Sequence, residues 1–153
     1  MNKILNYSFE KKKINKDEIL KLINLYEDEN YFELIDCCLS KNSKKVIRII
    51  NSKNFNNNDS IILLRSLLAR VKRLIDLKKL QKKNGDKKQT IDNFKPPIFW
   101  KDKEIVENQI DLWSTKQIYE LLEQVNELEI NLKRNGNLSS NIVFDLILNT
   151  SSN

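Results

Sequence analysis

Apolar residues recur at three- and four-residue spacings through nearly the whole chain, and only two glycines and two prolines punctuate it. This combination constrains the fold more than any other feature. A many-stranded β structure needs frequent turn residues and period-two alternation, and neither is present. The spacing predicts an all-α protein, a helical bundle of about seven helices. At 153 residues the chain has room for one domain, or for one domain and a piece of another.

The helix signals can be placed in turn. Asn15 as N-cap with Glu18 three residues on predicts a helix from about Lys16 to Leu25. A second covers about Tyr31 to Leu39, with Phe32, Leu34, Ile35 and Cys38 inward. A third takes Ser43 as its cap and buries Val46, Ile47 and Ile50. The asparagine run Asn54 to Asn58 reads as a loop, because its side chains compete for backbone hydrogen bonds. Asp59 then caps the longest helix, about Ser60 to Lys83, with Ile61, Leu64, Leu67, Leu68, Val71, Leu74, Ile75 and Leu77 inward. Asn84 to Pro97 is expected to be a polar connection, since Pro96-Pro97 cannot lie inside a helix. A helix from about Asp102 to Leu112 follows. Ser114 with Gln117 forms a second capping box that opens a helix to about Arg134. Gly136 reads as a stop, and Ser139 or Ser140 caps a final helix that buries Ile142, Val143, Leu146 and Ile147.

Charge is unevenly distributed. From Arg65 to Lys103 there are thirteen Lys or Arg against four acids, whereas residues 1–64 carry eleven bases and nine acids and residues 104–153 three and eight. The overall pI near 9.2 owes something to a bias toward Lys and Asn. A central band of nine excess charges is harder to attribute to bias, and it permits an anionic partner.

Several chemistries are excluded. Without histidine there is no His-based triad, ligand or imidazole proton transfer. Gly85 and Gly136 cannot make a phosphate-binding loop, so P-loop nucleotide hydrolysis is ruled out. Glu120, Glu123 and Glu127 share a helix face and read as a solvated stripe. Adjacent Cys37 and Cys38 make poor disulfide partners and read as reduced core or boundary residues. No stretch approaches the roughly 18 apolar residues of a spanning helix, and no signal-peptide core is present. The expectation is a cytoplasmic, non-catalytic protein with no cofactor, metal, membrane or small-molecule substrate.

The constellation with functional potential is the basic band and the aromatic pair at its end. Phe99 and Trp100, followed by Lys101 and Lys103, can stack on an unpaired base while cations meet phosphates. The competing reading makes Ile98, Phe99 and Trp100 a plug where the chain re-enters the bundle. The candidate DNA-binding residues are therefore Trp100, Phe99, Lys101 and Lys103, with Arg70, Arg73, Lys79 and Lys83 from the long helix.

The order of segments resembles a known family. Tyr31-Phe-Glu-Leu-Ile-Asp36, Ser43-Lys-Lys-Val-Ile-Arg-Ile-Ile50 and Ile61-Ile-Leu-Leu-Arg-Ser-Leu-Leu68 are similar to successive elements of the delta subunit of the DNA polymerase III clamp loader. Pro96-Pro-Ile-Phe-Trp-Lys101 resembles a loop of alphaproteobacterial members. Leu112-Trp-Ser-Thr-Lys-Gln-Ile118, continuing through Glu127-Leu-Glu-Ile-Asn-Leu-Lys133, is similar to the penultimate helix. No one motif is diagnostic, and the resemblance rests on their combined order from about Lys16 to Leu148.

The resemblance implies that residues 30–153 are the C-terminal helical collar domain, through which loader subunits join in a ring, and that residues 1–29 are a remnant of the lid domain. The implied partners are the ATPase subunits and delta-prime, together with primer–template DNA. The family's clamp-opening N-terminal domain has no counterpart here, so this chain is not expected to open a clamp. Met1 falls where the lid is unfinished, which suggests a fragment, an internal start or a split gene. The resemblance also implies that Phe99 or Trp100 faces DNA. The alternative from outside the family is a free-standing basic helical module that binds nucleic acid alone.

Overall fold

A computed structural model describes residues 31–53, 55, 57–135 and 140–152. The helix expected over Lys16 to Leu25, the stop at Gly136 and the cap at Ser139 lie outside these residues. Internal contacts divide the chain into two units, Met1–Glu33 and Leu34–Asn153. Of the first, residues 31–33 are helical, and Phe32 is exposed rather than inward as expected.

Seven α-helices and no strand occur among the described residues. Helical residues 31–39 form α1, of which 34–39 belong to the second unit. The others are α2 (Ser43–Ser52), α3 (Asn57–Asn84), α4 (Lys87–Asp92), a 3-10 turn (Trp100–Asp102), α5 (Lys103–Leu112), α6 (Thr115–Asn135) and α7 (Ser140–Ser152). The second unit is built around α3, whose 28 residues extend about 42 Å and pack against α4, α5, α6 and α7.

Leu63, Leu64, Leu67, Val71, Leu74 and Leu77 of α3 are buried, at the three- and four-residue intervals that keep side chains on one face. The helices packed against α3 bury Ile110 of α5, Ile118 and Val125 of α6, and Val143 and Ile147 of α7. Ile61 was expected inward and is 40% exposed. Four consecutive apolar residues, Ile61 to Leu64, leave the helix register open from local sequence. Counting back three and four residues from Leu67 selects Leu63 and Leu64 instead. In α2 the same uncertainty placed Ile47 inward, whereas Val46 is buried and Ile47 is exposed.

Side-chain caps open three of the helices, α2, α4 and α6. Ser114 Oγ accepts from the Gln117 N–H at 3.2 Å while Gln117 Oε1 accepts from the Ser114 N–H at 3.0 Å, the reciprocal box expected from the sequence. Helix α2 is capped by Asn42 rather than Ser43, with Asn42 Oδ1 accepting from the Lys45 N–H at 3.1 Å. Helix α3 begins at Asn57, two residues before the expected cap, and Asp59 lies in its first turn, where a carboxylate complements the helix dipole.

The polar connection expected over Asn84 to Pro97 contains a helix. Gly85, at φ +76°, ends α3 in the left-handed conformation that suits glycine. Asp86 then caps α4, accepting from the N–H groups of Lys88 and Gln89. Thr90, Ile91 and Phe94 turn into the core, which holds this polar segment against the bundle. The Lys95–Pro96 peptide that follows is cis.

Candidate nucleic-acid interface

The aromatic turn is positioned by its flanks. Ile98 is buried at 7% exposure and anchors the chain where it re-enters the bundle, whereas the next two residues turn outward, Phe99 at 58% and Trp100 at 70% exposure. Only Ile98 of the three therefore acts as a plug. The Asp102 N–H donates to the Phe99 carbonyl at 2.9 Å, closing the 3-10 turn that holds both rings at the surface. The rings lie 5.8 Å apart between centroids and are tilted by 48°. Lys101 Nζ sits 5.4 Å from the Trp100 ring centroid, within cation–π range. A tilted aromatic pair with an adjacent ammonium group presents an apolar face and a positive charge together.

The cations of the band divide by environment. Arg70 is half-buried and makes a two-pronged ion pair with Asp36 of α1, Nε to Oδ1 at 2.6 Å and Nη2 to Oδ2 at 3.0 Å. This geometry ties α3 to α1. Arg73, one turn later, has a buried Nε with no hydrogen-bond partner. Burial, then the neighbouring Arg70 charge, lower its pKa from the usual arginine value, while Asp36 and Asp102 act in the opposite direction. Arg73 thus lies within electrostatic reach of the 3-10 turn that carries Trp100.

Lys103 pairs with Asp92, joining the end of α4 to the start of α5, and holds the Asp92 carboxyl below the usual range. Lys87 reaches Asp111 at 2.6 Å and Glu107 at 3.5 Å, making a second link between α4 and α5. Lys79 is exposed and lies 3.8 Å from Asp76, and Lys83 is exposed near the end of α3. Arg65, Lys72, Lys79 and Lys83 are spaced seven, seven and four residues apart. That spacing returns them to one line along the exposed side of α3.

Of the eight residues expected at the interface, Phe99, Trp100 and Lys101 are together, and Arg73 is half-buried on α3 within electrostatic reach of Asp102. Lys79 and Lys83 lie farther along α3. Arg70 and Lys103 are engaged in ion pairs within the bundle.

The sequence reading did not identify the groups that support this surface. The Trp113 indole N–H donates to the Leu39 carbonyl at 2.6 Å, and Lys41 Nζ lies 4.8 Å from that ring. The buried Gln109 amide donates to the Asp36 carbonyl at 3.2 Å. The indole satisfies a last-turn carbonyl of α1 that the helix leaves without an internal donor, whereas the Asp36 carbonyl accepts from the Ser40 N–H as well as from Gln109. Helical spacing places Gln109 between Val106 and Ile110 on the inward side of α5, which was the available signal. Nothing local pairs it with α1, 73 residues earlier.

No curated protein and no solved structure gives a significant match to this chain. A family model does match: DNA polymerase III delta subunit, C-terminal domain, over residues 28–150. The match spans most of the sequence and the whole second unit apart from its last three residues. With the helical architecture, it shows that this chain belongs to the family defined by the C-terminal domain of the DNA polymerase III delta subunit.

Proposed function

We propose that this chain is a collar component of a bacterial clamp loader. In this reading it assembles with the ATPase subunits and delta-prime into a heteromeric ring and touches primer–template DNA through the Phe99–Trp100–Lys101 turn. Family membership supplies the coarse role, a non-catalytic clamp-loader subunit in DNA replication. Its place of action is the cytoplasm, with the replication machinery. No helix among the described residues is long and apolar enough to cross a membrane.

The observation that carries the DNA reading is the outward turn of Phe99 and Trp100 immediately after the buried Ile98. Keeping two large rings in water has no folding benefit, and stacking on an unpaired base would cover them. Lys101 supplies a cation beside the ring, and Lys79 and Lys83 lie on the exposed side of α3 for phosphates. Arg73 adds positive charge within electrostatic reach of Asp102 in the turn. Arg70 and Lys103 contribute by fixing the scaffold rather than by direct contact.

The test is fluorescence anisotropy of a labelled primer–template junction with loader assembled from the parent chain or from Trp100→Ala. Losing a stacked base costs about 1 to 3 kcal/mol, or about 5- to 150-fold in Kd. A change of less than about twofold, with folding unchanged by circular dichroism, would show that the ring does not stack.

A further inference from the structure

A cleft of about 190 Å³ opens between the start of α3 and the end of α6, lined by Ile61, Leu64, Arg65, Glu129, Leu132 and Lys133. The two helices therefore run antiparallel here. Ile61 on its wall is 40% exposed, and Ile62 and Ile130, each next in sequence to a lining residue, are 41% and 48% exposed. Helix α7 begins at the same end of the bundle, where Phe144 meets Phe55 at 5.2 Å between ring centroids, and its Ile142 is 42% exposed. An exposed isoleucine on the cleft wall, with a further exposed isoleucine at the next position of each of the two helices, forms the kind of apolar patch that soluble proteins reserve for a partner.

The charges around the cleft narrow the choice of partner. Glu129 is held by Lys133 at 3.0 Å, one turn along α6. Arg65 on the opposite wall makes no ion pair among the described residues, so the rim carries an uncompensated positive charge. Nucleic acid would meet an aliphatic floor that offers no stacking surface. A second copy of this chain docked through the same cleft would add a second unpaired Arg65 and no unpaired carboxylate, since Glu129 is held by Lys133. An amphipathic helix with apolar residues at three- and four-residue spacing and a carboxylate beside them satisfies both the floor and Arg65.

We propose that the cleft between α3 and α6 receives an acidic amphipathic helix of a neighbouring clamp-loader subunit, with Arg65 pairing to its carboxylate. The proposal rests on the collar reading and names the face through which that assembly is made. None of the residues lining the cleft belongs to the aromatic turn, which lies between α4 and α5 in the chain. One surface can therefore hold a subunit while the other remains open.

The experiment measures association of the chain with the ATPase and delta-prime subunits of its source by sedimentation velocity, for the parent, Arg65→Glu, the pair Ile61→Asp with Ile130→Asp, and Trp100→Ala. The substituted side chains in the first two variants are exposed, and circular dichroism checks their folding. Arg65→Glu carries the test should the aspartate pair unfold. The expected result is at least a tenfold loss of association for Arg65→Glu and for the aspartate pair, with Trp100→Ala within twofold of the parent. If the parent assembles and the folded cleft variants assemble as well as it does, the cleft assignment is overturned while the collar reading stands. If the parent does not assemble, both fall. Self-association of the parent that the cleft substitutions abolish would overturn the assigned occupant in favour of a second copy.

Discussion

Asp36 is gripped by one guanidinium group and lies within electrostatic reach of a second, and the consequence is an asymmetry that mutation can read. Arg70 grips its carboxylate at 2.6 and 3.0 Å with both side chains only 14% exposed, and Arg73 feels both Asp36 and Arg70. An exposed ion pair contributes about 0.2 to 1 kcal/mol, and removing one partner of a buried pair costs about 3 to 5 kcal/mol. At this exposure the value should fall between those limits. Arg70→Met leaves Asp36 with Arg73 nearby and relieves the repulsion between the two arginines, so the expected cost is about 2 kcal/mol. Asp36→Asn leaves two half-buried guanidinium groups without their shared counter-charge, so its cost should be about 3 kcal/mol, lowering Tm by about 10 °C in a unit of this size. Urea melts followed by circular dichroism on both single variants and the double variant would give the two costs and their coupling. If Asp36→Asn proved no more destabilising than Arg70→Met, the carboxylate would not be the shared counter-ion described here.

Three further outcomes are expected. Trp113→Phe removes the donor to the Leu39 carbonyl and should cost about 2 kcal/mol in a urea melt, whereas a loss below about 0.5 kcal/mol would mean that water replaces the indole without penalty. Gly85→Ala meets no steric obstacle but must adopt φ +76°, so about 1 kcal/mol should be lost, and an unchanged midpoint would place the α3 stop elsewhere. Burial, and secondarily the neighbouring Cys37, push the Cys38 thiol from 9.0 up to about 12. Because the folded state favours the protonated thiol, its contribution is complete below pH 9 and declines from there toward pH 12. Relative to Cys38→Ala, the parent should lose up to about 1.4 kcal/mol per pH unit in that window, and parallel stability profiles for the two proteins would contradict it.

What was legible in the sequence was whatever the chain encodes locally. The reciprocal Ser114–Gln117 cap depends on two residues three apart, and the inward line of α3 from Leu67 to Leu77 depends on spacing alone. Helix α4 was hidden because its six residues, Lys87–Asp92, give too short a periodic run against so many polar neighbours. Its signals were Gly85 as a stop, Asp86 as a cap, and Thr90, Ile91 and Phe94 as an inward set. The aromatic pair was legible as a candidate, but its exposure depended on how Ile98 and the 3-10 turn set the chain direction. Arg70 looked like a free cation on a basic helix because its partner, Asp36, lies 34 residues away. Long-range pairing of this kind has no local signature, which is why the basic band looked more uniform in sequence than it is in the fold.

On the proposed reading, this chain works as part of a heteromeric loader. The most direct measurement is light scattering behind size exclusion of the chain mixed with the ATPase and delta-prime subunits of its source. Co-elution at the mass of a heteromeric ring is the expected result. A chain that is folded by circular dichroism yet elutes alone at its own mass would contradict it.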